Sequence, residues 1–190
     1  KTYGGALYII TDKPLTITDC FFDGNSAGGI GGAVYFSKFG DVTIADATFA
    51  RNNAYEGGAI TADGRNKVKF DSLVFAENKA DVDAPNLLLR HFGASPFDVK
   101  NCKFHFNKRV GQAQVCVRNN AYEHSQEAVN FEGCCFTYEG NAVDETAFHI
   151  KASLVSGTIV LGSGNCFDLP QELSFSFTTS NENNTEVEIA

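Results

Sequence analysis

The chain has 190 residues, with 15 Lys+Arg against 23 Asp+Glu for a net charge of −8, and it carries 17 Phe, 18 Gly and 6 Cys but neither Trp nor Met. That length suits one domain with its own core, and 43% hydrophobic against 20% charged residues argues against intrinsic disorder. An acidic balance without Lys/Arg clusters argues against nucleic acid as a partner, and no apolar run nears the roughly 20 residues that span a bilayer, so no membrane insertion by this segment is expected.

The start, Lys1-Thr2-Tyr3-Gly4-Gly5, has no signal-peptide pattern, and the missing initiator Met points to a processed chain or an excerpt. A Gly-Gly-Ala triplet followed by an aliphatic residue begins at Gly4 and returns at Gly31 and Gly57, in steps of 27 and 26 residues. A second phrase, Phe-x-x-Asn, runs in phase at Phe22/Asn25, Phe49/Asn52, Phe75/Asn78 and Phe104/Asn107, then degrades at Phe136 and Phe167. Between the two phrases lie alternating segments: Leu15–Thr18, Val42–Ala45, 68–70, 97–99, 128–131 and Gly157–Leu161. Period-two alternation rich in branched and aromatic residues reads as half-buried strands, about three to each repeat.

One such unit cannot bury its own apolar face, so successive units must stack and share a core. The expected fold is therefore all-β, a right-handed single-stranded parallel β-helix of about six rungs, with strands of neighbouring rungs about 4.8 Å apart. Residues 1–170 form the helix, regular over 4–107 and irregular over 108–170. Residues 171–190 form a C-terminal extension with two alternating stretches, 173–178 and 186–189, that cap the rod or pair with a neighbouring subunit.

The repeated residues read as architecture. Phe22, Phe49, Phe75, Phe104 and Phe136 point inward as one stacked column, and Asn25, Asn52, Asn78 and Asn107 follow at turns, where Asn tolerates left-handed geometry and bonds nearby backbone. The Gly pairs mark another corner, where positive φ or close backbone approach excludes side chains. Cys20, Cys102 and Cys134 sit two positions before their Phe and face inward; Cys135 and Cys166 sit one before it and face outward. Stacking in register makes Cys102–Cys134 and Cys135–Cys166 neighbours at a separation a disulfide can span. The alternative is that the inward cysteines, and Cys116, are small buried hydrophobes. His91, His105, His124 and His149 fall in different rungs, and neither a zinc nor a calcium pattern occurs, so no metal and no cofactor is expected.

The in-phase Gly-Gly-Ala and Phe-x-x-Asn phrases resemble the repeats of the polymorphic outer membrane proteins of chlamydiae and of related β-helical surface proteins, well over residues 4–107 and by register alone beyond. The resemblance implies an extracellular or cell-surface adhesin-like passenger and no catalytic residues. Two functions follow. The first is a non-enzymatic structural or adhesive module, meeting a host or cell-surface ligand, glycans among the candidates, or assembling end to end into a fibre through open β-helix edges. The second is a polysaccharide-active lyase or hydrolase, for which Asp81, Asp83, Arg90 and His91 are the candidates. Against the second, Ala84-Pro85 marks a solvated turn directly after the carboxylates. One sequon, Asn183-Asn184-Thr185, makes Asn183 a possible glycosylation site.

Overall fold

Strands of three residues, such as Leu7–Ile9 and Phe21–Asp23, are too short to be stable alone, and here each gains its partners one repeat away. The computed structural model describes residues 2–64, 66–90, 96–107, 113–119, 128–139, 148–154, 157–168, 175–179 and 185–189. Its strands stack in parallel into three long sheets of seven, six and seven strands, the architecture of a parallel β-solenoid. The first rung supplies Leu7–Ile9 to the first sheet, Leu15–Thr18 to the second and Phe21–Asp23 to the third. Residues 175–179 and 185–189 add in parallel to Phe148–Leu154 and Gly157–Leu161 of the same rod, extending the first and second sheets.

Register explains the repeat. Leu15 pairs with Val42, and Val42 with Val68, which pairs in turn with Phe97, so each inward apolar side chain lies over its counterpart. In the third sheet Phe22, Phe49, Phe75, Phe104, Phe136 and Phe167 stack ring on ring, with centroids 4.8, 5.4, 4.9, 4.6 and 5.0 Å apart. Those spacings are the rung spacing itself, so a flat ring is the side chain that fills this column without strain.

The Gly-Gly corners use both properties of glycine. Gly31 and Gly57 adopt φ of +69° and +62°, whereas a Cβ on Gly32 would lie 1.9 Å from the carbonyl oxygen of Gly58 in the next rung. In the fourth rung Ala84-Pro85-Asn86 takes the place of Gly-Gly-Ala: Gly57, Gly58 and Ala59 donate to the carbonyls of Asp83, Ala84 and Pro85. Ala84 carries the left-handed φ of +57°. The expectation of a solvated turn here is wrong, because Asp83, Ala84 and Asn86 are all buried.

Beside the Phe column runs a polar one. Asn52 Oδ1 accepts from the Asn25 amide N–H and side chain, and Asn78 Oδ1 accepts from those of Asn52. Each Nδ2 in turn donates to a Phe carbonyl of the preceding rung, Asn52 to Phe22 and Asn78 to Phe49. The chain of bonds then leaves the Phe-x-x-Asn column: Asn78 donates to Asn86, which faces Gln114 at 3.4 Å, and Gln114 Nε2 donates to His149 Nδ1 at 3.1 Å. His149 Nε2 closes it on Asp168 at 3.0 Å. The backbone of Asn107 ends strand Lys103–Asn107 opposite Glu139, and its side chain lies outside the described residues.

His149 is fully buried between Phe136 and Phe167, and burial pushes its pKa down to about 4 although Asp168 pulls it upward. With a folded pKa below the unfolded value of about 6.5, the unfolded chain takes up the proton first. The stability tied to neutral His149 is thus complete above pH 6.5 and falls as pH drops toward 4, by about 2 kcal/mol at pH 5. Thermal melts between pH 7 and 5 should show this loss, and His149→Gln should flatten it.

Candidate functional site

Chemistry-bearing side chains concentrate on the outer face of the first sheet. Strand alternation puts two outward columns there. One runs Tyr8, Tyr35, Thr61, Leu88, Cys116, Lys151, and the other runs Ser37, Asp63, Arg90, Arg118, Ser153. The segment that precedes each Gly-Gly corner lies alongside and brings a third column, Tyr3, Ile30, Glu56, Asp83.

At the middle rungs this face is closed. Leu88 and Cys116 pack with Ala84 and Ala113 in a small apolar cluster of their own, and Thr61 is buried. Asp83, 2% exposed, accepts from the backbone N–H of Ala84 and Ala113 and from Lys151 Nζ at 3.0 Å, with Arg118 Nη2 at 3.6 Å. Arg118 Nη1 binds Glu56 Oε1 at 2.7 Å. Both carboxylates are therefore committed to cations of neighbouring rungs, which ties the corner segment to the sheet. Burial pushes the Cys116 thiol well up, with Asp83 adding to it, so this cysteine stays protonated and is no nucleophile.

Among the described enzyme candidates, the two carboxylates do not share a face. A bulge between Ala80 and Asp83 breaks the alternation that would have put Asp81 and Asp83 on one face: Asp81 is exposed and Asp83 buried. Arg90 sits in the outer column beside Arg118. His91 and His124 lie outside the described residues, as does Asn183. His105 is exposed and pairs with Thr137, while His149 belongs to the polar column. Among the described residues no three His, Cys, Asp or Glu side chains group as a metal site.

At the N-terminal rungs the same face is open and aromatic. Tyr8 and Tyr35 stack with centroids 5.4 Å apart, and Tyr3 leans on both at 5.8 and 5.4 Å. Tyr35 is buried beneath and bonds Asp63 through its hydroxyl, while Tyr3 and Tyr8 are 45% and 49% exposed. Residue spacing held a trace of this patch, since Tyr8 and Tyr35 are one repeat apart, but Tyr3 joins it only through the corner geometry.

Cys135 and Cys166 form a disulfide on the outer side of the third sheet, whereas Cys102 and Cys134 are buried thiols, as is Cys116; Cys20 is a half-buried thiol in the first rung. Phe49, Phe75, Phe104 and Phe136 of the Phe column are fully buried, so they offer no platform to a ligand.

A family model of the Chlamydia polymorphic membrane protein repeat matches residues 19–37, which span the Phe22/Asn25 phrase and the second Gly-Gly corner. The probable autotransporter YfaL of Escherichia coli strain K12 is 37% identical over 84 residues, covering 40% of this chain and 7% of that protein. This chain therefore matches only a small part of that relative's length. No solved structure matches the chain.

Proposed function

We propose that this chain, which carries repeats of the polymorphic membrane protein type, is a surface-exposed, passenger-like β-helical module that adheres to a ligand and does no catalysis. One observation carries the proposal: beside the first sheet's outer face Glu56 and Asp83 are bound by cations, while the rings of Tyr3 and Tyr8 are left open. A relative described as a probable autotransporter supports placement at the cell surface. The ligand that suits Tyr3 and Tyr8 is a sugar ring on a host or cell-surface glycan, whose C–H face stacks on an aromatic ring. The polysaccharide-active enzyme is the weaker reading, because a hydrolase needs an uncommitted carboxylate pair across a groove and Asp83 is bound by Lys151.

Beads coated with the protein should adhere to cells bearing the ligand. The pair Tyr3→Ala and Tyr8→Ala should cut adherence at least tenfold at unchanged melting temperature, as for loss of a central aromatic contact. Unchanged adherence would remove the tyrosines from the proposal.

A second reading, end-to-end assembly, rests on the first rung. Ile9, Leu15, Ile17 and Phe22 are only partly buried, although Phe36, Val42, Ile44 and Phe49 in the next rung are covered. That face suits a further rung, from a second copy or from another stretch of a longer chain. Sedimentation should reveal concentration-dependent growth of the wild type that Ile17→Glu abolishes; a wild type that stays monomeric at high concentration contradicts assembly between copies.

A further inference from the structure

We propose that Cys102 and Cys134 close a second disulfide, so that with Cys135–Cys166 it links three consecutive rungs through covalent bonds. The argument starts from register. Lys103 pairs with Cys135, which sets Cys102 opposite Cys134, and Cys135 N–H donates to the Cys102 carbonyl at 2.9 Å. The bonded pair Cys135–Cys166 has the same one-rung offset in the same sheet, with Cα atoms 4.6 Å apart. The parallel rung spacing therefore places Cys102 and Cys134 within the range a disulfide spans.

The side chains agree with the backbone. Both are inward and fully buried. Each thiol holds weak bonds to carbonyl oxygens, Cys102 to Lys100 at 3.1 Å and Cys134 to Val99 at 3.3 Å and Glu132 at 3.5 Å. Rival partners are remote: Ala47 and Leu73 separate Cys20 from Cys102 in this column, and Cys116 lies on the outer face of another sheet. Closing the bond replaces two S–H groups by one S–S bond. Both hydrogens and two electrons pass to a disulfide-class oxidant, R–S–S–R, which leaves as two R–SH.

Because both sulfurs are sealed in the core, the oxidant must act while the rungs are still assembling. The bridge is expected in protein folded in an oxidising thiol buffer and not in protein folded reduced and oxidised afterwards.

The test counts thiols. Wild-type protein folded oxidatively, then denatured and alkylated without reductant, should take two labels, on Cys20 and Cys116. Four labels, with Cys102 and Cys134 among them, would overturn the proposal. In Cys135→Ser/Cys166→Ser protein folded in the same way, digestion should yield the Cys102–Cys134 cross-linked peptide. Recovery of both cysteines alkylated, or linked to Cys20 or Cys116, counts equally against it. If that variant does not fold, the wild-type label count decides alone.

Discussion

Asn78→Asp should destabilise the chain by about 4 kcal/mol or more at neutral pH, read as a fall in urea midpoint at constant m-value. Asn78 is almost fully buried and uses both ends of its amide: Oδ1 accepts two bonds from Asn52, and Nδ2 donates to the Phe49 carbonyl and to Asn86 Oδ1. A carboxylate keeps the acceptor and loses the donor, so an oxygen would face two oxygens in a dry site. The buried charge adds to that cost, which should shrink as falling pH protonates the new carboxyl. The equivalent change at Asn25, partly exposed at the end of the column, should cost about 1 kcal/mol or less. Equal losses at the two sites would mean that the amide column does not stabilise the interior.

Phe75→Ala should cost about 3–5 kcal/mol by the same measurement, the usual range for a buried aromatic truncated in a close-packed core. Its ring lies between Phe49 at 5.4 Å and Phe104 at 4.9 Å, and neither neighbour can move into the gap without leaving its own strand register. Phe21→Ala, one residue before the column and 65% exposed, should change stability by roughly 0.5 kcal/mol or less. Comparable effects at both positions would contradict the assignment of inward and outward faces.

The solenoid was legible because identical side chains meet themselves every 26 to 32 residues, and a column of Phe leaves a plain record in sequence. Asn25, Asn52 and Asn78 were readable for the same reason. Their continuation was not, since Asn86, Gln114 and His149 differ in type and lie in the column of Ala33 and Ala59. The available signal was Ala84-Pro85-Asn86-Leu87, which follows Gly57-Gly58-Ala59-Ile60 by one 27-residue step. Asp83 was misjudged because period-two alternation cannot show a bulge, and the bulge turns it against the outer face of the first sheet, under the corner. Its partners Arg118 and Lys151 lie 35 and 68 residues along the chain, a distance no local pattern reports. The tyrosine patch was equally hidden, because it joins two columns that only the corner brings together.

The most direct measurement of adhesion without catalysis is to incubate the protein with a panel of immobilised polysaccharides and record retained protein and released sugar from the same wells. The account predicts retention on at least one neutral glycan, lost in the Tyr3→Ala/Tyr8→Ala variant, with no new reducing ends or unsaturated products. Release of cleaved sugar, or retention indifferent to both tyrosines, would contradict it.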